Sequence, residues 1–226
     1  MFMRIKTGIS GLDSMTEGGF IAGSVNLVSG PPGSGKSLFG IHYISEGASR
    51  GEAGIYITLE EGAESISAAA LRYGMDMERE GIYLVDFGDI REDDAVSFLS
   101  LREYLEGMLR NRSISRVVID SISSISVQYG DTNALRRELF SFCRFLRKSG
   151  LTSLLISESG GAVGGEVKVE NFVTDSLIFL GYESHRGEYR RTVLIQKMRL
   201  TKHDPYRHPF LITASGVEIY PDETLF

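Results

Sequence analysis

The chain contains no tryptophan, one cysteine and only five prolines in 226 residues. A lone cysteine excludes an intrachain disulfide, and such usage suits a reducing cytosol. Cys143 lies in an apolar helical run and reads as a buried, inert thiol. No apolar run reaches transmembrane length. The opening M-F-M-R-I-K-T-G lacks the apolar core of a signal peptide, so a cytoplasmic protein is expected. No Cys/His cluster suggests zinc, and no Ser-His-Asp arrangement is readable. The formal charge of −6 argues against broad electrostatic binding to nucleic acid, which leaves only a local basic patch for that role.

What the chain does have is one dense stretch, Gly30-Pro31-Pro32-Gly33-Ser34-Gly35-Lys36-Ser37. It fits G-x-x-x-x-G-K-[ST], the P-loop pattern. Ser24 to Ser29 before it reads as a short buried strand, and Leu38 to Ser49 after it as a helix, the context a P-loop requires. A nucleoside triphosphate brings several negative charges, and backbone N–H groups must turn inward to meet them. Gly30, Gly33 and Gly35 let the chain approach phosphates without a Cβ in the way. The helix start adds free N–H groups and a positive dipole end. Lys36 is expected at the β- and γ-phosphates, and Ser37 on Mg²⁺. A glycine-rich turn before a surface helix would explain the glycines, but not their conjunction with Lys-Ser between strand and helix.

The hydrophobic fraction of 42% is ample for a core, and one domain over residues 1–226 is expected. Within it, 1–23 reads as a lead-in with glycine turns, 24–158 as the P-loop core, and 159–226 as a Gly-rich loop and an antiparallel extension. Strands are expected at Ile55–Leu59, Ile82–Asp86, Arg116–Ser121 and Thr152–Ser157. Helices are expected at Ala63–Tyr73, from Asp94 (capped by Asp93) to about Arg110, and after Asp131 to Lys148, the last with Leu135, Leu139, Phe142 and Leu146 on one face. In the second of these, Val96, Leu99, Leu101, Leu105 and Leu109 should face mostly inward. Strands alternating with helices imply an α/β fold, a mainly parallel sheet with helices on both faces. Runs at Ser176–Tyr182, Thr192–Met198, Phe210–Thr213 and Val217–Tyr220 read as antiparallel hairpins extending it. There is no internal repeat and no second P-loop.

Several polar residues join the P-loop. Asp120 ends an apolar strand, where a carboxylate can hold Mg²⁺ through water. Glu60 and Glu61 close the neighbouring strand, at the end where open α/β sheets bind ligands. Glu60 is favoured as general base and Glu61 as its partner or substitute; an acidic helix N-terminus would explain either without catalysis. Lys197-Met198-Arg199 puts two same-face cations into an apolar strand, either a solvated face or a pair for γ-phosphate charge. His185 to Arg191 is a basic hairpin tip that reads as a solvated turn. His42 reads as a packed or surface residue on the P-loop helix.

Together these pieces resemble the single-domain KaiC-type ATPases of the RecA superfamily, from Thr7 to about Pro221. The resemblance rests on T-G-I-S-G-L-D…G-G, the P-loop, Y-I-T-L-E-E, R-V-V-I-D-S-I-S-S, R-R-E-L-F, V-E-N-F-V-T-D-S and R-R-T-V-L-I-Q-K-M-R with T-K-H. It implies a RecA-like P-loop core that binds ATP and Mg²⁺ between subunits of a homo-oligomeric ring, usually a hexamer. It makes Glu60 and Glu61 the catalytic carboxylates. It implies that Lys197 and Arg199 reach the γ-phosphate held by the neighbouring subunit, with Met198 between them. Thr201 and His203 match positions near that nucleotide's sugar and base, and Leu38 completes the nucleotide-binding set in cis. The preference for ATP over GTP rests on this resemblance. Clock proteins of this type carry two such domains and an autophosphorylated Ser-Thr pair. Here Asn171-Phe172 occupy those places, so phosphorylation there is not expected. The expected function is an ATPase that changes shape for an unidentified protein partner. The alternatives are a recombinase-like module that binds single-stranded DNA and an ATP-gated scaffold with little hydrolysis. The loop from Ser159 to Lys168 has one Lys, two Glu and no aromatic, which disfavours DNA.

Overall fold

A computed structural model describes residues 2–90, 96–159, 168–185 and 188–225. In chain order its strands are β1 (Arg4–Ile5), β2 (Phe20–Ile21), β3 (Val25–Gly30), β4 (Ala53–Thr58), β5 (Ile82–Asp86), β6 (Ile114–Asp120), β7 (Thr152–Glu158), β8 (Ser176–His185), β9 (Glu188–Met198), β10 (Arg207–Thr213) and β11 (Gly216–Ile219). The helices are α1 (Leu12–Met15), α2 (Lys36–Ser49), α3 (Ala63–Leu71), α4 (Phe87–Ile90), α5 (Phe98–Asn111), α6 (Ser123–Ser126), α7 (Thr132–Lys148) and α8 (Glu170–Val173).

Nine strands form one sheet in the order β11-β10-β9-β8-β3-β7-β6-β4-β5. From β8 to β5 neighbouring strands are parallel, and β9, β10 and β11 add antiparallel strands beyond β8. This is the RecA-like α/β core with its antiparallel extension. The lead-in is more ordered than its glycine turns suggest, for β1 and β2 pair across α1.

The central strands read as continuous apolar runs because both faces are covered. Successive side chains point to opposite faces. Val28, Val118, Leu154 and Ile156 enter a core under α2 and α3, while Leu27, Val117, Ile119 and Leu155 enter a second core under α5 and α7. Helix α7 matches its pattern. Asp131 accepts from the N–H groups of Asn133 and Ala134, and Leu135, Leu139, Phe142 and Leu146 are buried on one stripe.

Helix α5 corrects an expectation. It begins at Phe98 and is capped by Ser97, whose side chain exchanges hydrogen bonds with Ser100 in a capping box. Asp93 and Asp94 lie outside the described residues, and Val96 precedes the helix. Phe98, Leu101 and Leu105 follow the i, i+3, i+7 spacing of one buried face, while Leu99, about 200° around the helix from Leu101, is 58% exposed. Most of the Ser159–Lys168 loop and part of the His185–Arg191 tip also lie outside the described residues.

Candidate nucleotide-binding site

The P-loop sits where β3 ends and α2 begins. Gly35 caps α2 with a left-handed φ of 100°, which a side chain would strain. Gly30 is needed for a different reason. A Cβ there would stand 2.5 Å from the Leu180 carbonyl of β8. From β8 the Tyr182 hydroxyl also donates to the Gly33 carbonyl, so the extension braces the loop.

A cavity of about 380 Å³ opens in front of the loop. Pro32, Gly33, Gly35, Lys36, Ser37 and Leu38 line it on one side and Glu60, Glu61, Asp120, Ser121 and Glu158 on the other. Leu38, Ile41, Ile66, Ala69, Tyr73 and Ile212 give it an apolar wall. The structure therefore brings most of the predicted P-loop residues, Asp120 and both glutamates to one cavity, while Gly30, Pro31 and Ser34 do not line it. They converge because β3, β4, β6 and β7 are parallel and end on the same side.

Lys36 donates to the Pro31 carbonyl at 2.9 Å, and its Nζ lies 3.8 Å from Glu158 Oε1. Burial lowers its pKa, and the charges of Glu158, Asp120 and Glu60 oppose that shift. Asp120 accepts from the Tyr56 hydroxyl at 2.6 Å. Burial raises its pKa, hydrogen bonds from Tyr56 and Ser37 pull it down, and the Glu61 charge raises it again. Glu60 accepts from the Ser121 hydroxyl at 2.9 Å, which holds Oε1 at the cavity edge. Glu61 is exposed, as is Glu60, and its backbone carbonyl accepts from Thr58 Oγ1 at 2.6 Å.

These residues fit a nucleotide with its metal. Two left-handed glycines turn the backbone of the loop, and a buried ammonium stands among carboxylates it could leave for phosphate. Among the described residues no three His, Cys, Asp or Glu form a metal cage. Magnesium needs none, because it binds through substrate phosphates, water and one or two protein oxygens. Ser37 and Asp120 are the residues placed to supply them.

Lys197 and Arg199 are elsewhere. Arg199 N–H bonds the Asp175 carbonyl, and Asp175 N–H bonds that of Val25, at the start of β3. Five strand steps separate Val25 from Gly30, about 16 Å at the usual rise. Lys197 donates to the Asn171 carbonyl at 2.8 Å, and Arg199 meets Asp175 at 3.2 Å and the Phe172 carbonyl at 3.4 Å. Burial lowers the Lys197 pKa, and the Arg199 charge adds to that. Thr201 accepts from Arg4 at 2.8 Å, and His203 Nδ1 lies 3.4 Å from the Thr201 carbonyl. Met198 is buried. None of these five lines the P-loop cavity of its own chain.

Sequence reasoning passed over Tyr56, Ser121 and Glu158. Glu158 carried a signal, since it ends the apolar strand T-S-L-L-I-S-E as Asp120 ends its own. Tyr56 carried none, lying within a strand where an aromatic is ordinary.

A P-loop between β3 and α2, with carboxylates at the ends of the adjoining parallel strands, defines a P-loop nucleotide-binding protein of the RecA superfamily. The KaiC ATPase family model matches residues 5–224, so the chain belongs to that family. A UPF0273 protein of Pyrococcus furiosus is 35% identical, covering 100% of this chain and 97% of its own. A UPF0273 protein of Thermotoga maritima is 34% identical over 99% of this chain and 98% of its own. The circadian clock oscillator protein KaiC of Parathermosynechococcus lividus is 32% identical over 96% of this chain, but over only 42% of its own length. Among solved structures, a KaiC-like protein of Pyrococcus horikoshii superposes with a TM-score of 0.85 at 32% identity, covering 98% of this chain and 100% of that one. Among the described residues no helix is long and apolar enough to cross a membrane.

Proposed function

We propose that the protein hydrolyses ATP with Mg²⁺ at the contact between subunits of a homo-oligomeric ring, a hexamer, in the cytoplasm. The cycle drives a shape change that a protein partner reads. The observation that carries this is the division of the site. Lys36, Ser37, Asp120 and Glu60 share one cavity, while Lys197 and Arg199 are anchored about 16 Å away along the strands.

In the reaction a water oxygen bonds to the γ-phosphorus as the bond to the β–γ bridging oxygen breaks. Glu60 takes the proton from that water, and Ser121 keeps its carboxylate aimed. Glu61 is the partner or substitute for Glu60. Lys36 and the P-loop amides hold the phosphates in line. Ser37 and Asp120 would hold the metal, which would supply positive charge to the phosphates. Leu38 packs beside the bound nucleotide in cis. Lys197 and Arg199 of the next copy offset charge spreading onto the transferring phosphoryl group. Thr201 and His203 of that copy approach the sugar and base.

The test measures ATPase rate against protein concentration, with mass from light scattering. Activity that rises with assembly, and is lost in Arg199→Ala with ATP binding retained, is the expected result. A monomer with concentration-independent turnover would remove the trans roles. A ring that binds ATP without hydrolysing it would favour the scaffold.

A further inference from the structure

The P-loop cavity and the Lys197–Arg199 pair lie at opposite ends of β3, and one short segment holds the pair while reaching Ser157, the neighbour of the cavity residue Glu158. Residues 169–175 run back along the sheet from one end to the other. At the P-loop end, Glu170 is buried to 2% exposure, and its Oε1 accepts from the Ser157 hydroxyl at 2.9 Å. Ser157 is paired in register with Ser29, and the next residue is Glu158, opposite Gly30. At the other end, Asp175 accepts from the Val25 N–H at 2.9 Å. Between them α8 presents the carbonyls that hold Lys197 and Arg199.

Glu158 is the switchable member. Lys36 has two exclusive sets of partners: Pro31 and Glu158 as seen here, or the phosphates of a bound nucleotide. When phosphates take Lys36, Glu158 loses its nearest cation in the cavity. Its backbone is tied on both sides, because its N–H donates to Ser123 Oγ at 2.7 Å and its carbonyl accepts from Lys168. Ser123 Oγ is also 3.3 Å from Ser157 Oγ. Repositioning Glu158 therefore acts on Ser123, Ser157 and, through them, Glu170. A buried carboxylate fixed to a four-residue helix transmits displacement rather than absorbing it.

We propose that Glu158, Ser157 and Glu170 couple nucleotide binding in the P-loop to the position of α8, and so to how Lys197 and Arg199 are presented. Glu170 and Ser157 are positioning residues that touch neither nucleotide nor metal. In the assembly proposed above, on which this inference rests, occupancy of one site sets the cations offered to the next. That supplies cooperativity between neighbouring sites.

The chain's lack of tryptophan makes a direct test available. Phe172 on α8 is 55% exposed, and the Arg136 guanidinium lies 5.7 Å from its ring centroid. Phe172→Trp therefore places a single indole fluorophore beside the Arg199 contact. Mg²⁺ with a non-hydrolysable ATP analogue is titrated at concentrations where light scattering shows constant mass, and binding is followed separately by calorimetry. The expected result is an indole signal that saturates with the calorimetric Kd. Ser157→Ala or Glu170→Gln should abolish it while changing Kd less than threefold, and should bring the Hill coefficient of hydrolysis toward one. Binding without an indole signal would overturn the coupling, as would a signal that survives both substitutions. Failure to bind the analogue at all would instead sink the proposed function, and this inference with it.

Discussion

Ser121 and Glu60 follow different strands, β6 and β4, yet the serine hydroxyl donates to the glutamate carboxylate at 2.9 Å. Ser121 directly follows Asp120, so one strand end places the carboxylate proposed to hold the metal and aims the proposed general base. Ser121→Ala should lower kcat about tenfold, the loss of about 1.4 kcal/mol of positioning. Its Kd for ATP should stay near wild type. Glu60→Gln should cost at least about a hundredfold in kcat, as removal of a general base does. Single-turnover kinetics would check both. Intact turnover in Glu60→Gln would transfer the base role elsewhere.

Asp120 links catalysis to pH. Burial raises its pKa, and the Tyr56 hydroxyl restrains that rise. The proton therefore stays on Asp120 to a higher pH than on an ordinary carboxylate, and the acidic limb of Mg²⁺-dependent activity is shifted upward. Tyr56→Phe should push that limb higher still. The sign for stability follows by linkage. The folded state holds this proton more tightly than the unfolded state, so stability is lost as pH rises through the window above the ordinary carboxylate value. Asp120→Asn should abolish metal-dependent turnover and raise Tm at pH 7 by about 2–4 °C, the usual shift for 1 kcal/mol at this size. Calorimetry across pH tests both.

Arg199 and Glu60 should complement each other across subunits. Glu60→Gln and Arg199→Ala are each expected to be inactive alone. In a one-to-one mixture an active contact needs Glu60 from one copy and Arg199 from its neighbour, which leaves about a quarter of contacts competent under random head-to-tail assembly. Activity should recover toward that fraction after subunit exchange. No recovery with confirmed mixing would return both residues to single-chain roles.

His42 turns out to be packed. Its Nε2 accepts from the Val217 N–H at 2.9 Å, and its ring also hydrogen-bonds the Gly8 backbone. It thus ties the lead-in and the last hairpin to the P-loop helix. Burial lowers its pKa, so the unfolded chain takes up the proton first. Stability should then fall as pH drops below about 6.5, the ordinary histidine value, until the folded state is protonated too. His42→Ala leaves a buried N–H without its partner and should cost about 1–3 kcal/mol. Urea titrations at pH 7.5 and 5.5 should show the wild type weakening more than the variant.

Much of this was legible in the chain. The P-loop pattern between a strand and a helix located the cavity, and the carboxylates ending neighbouring strands filled its far wall. The apolar spacing after Asp131 gave α7, and in the structure Asp131 also caps it. Helix α5 was misplaced because Asp93 and Asp94 offered a cap that Ser97 actually supplies through Ser100. Two acidic residues before a periodic run look like a start, while a Ser-Ser capping box is a weaker signal. Tyr56 and Asp175 were harder still, since their roles depend on partners far off in sequence. The separation of Lys197 and Arg199 from the P-loop depends on the register of β8 and β9, which no local pattern encodes.

That register has one last consequence. The P-loop cavity lies at one end of β3, and Lys197 and Arg199 are anchored at the other. A two-fold pair would have to set each copy's cations on the other's cavity across one shared surface, and it would stop at two copies. A head-to-tail assembly that completes its sites with Lys197 and Arg199 instead has a direction, as a queue does. Each added copy finishes one site and opens another, and the last vacancy disappears only when the line returns to its own beginning.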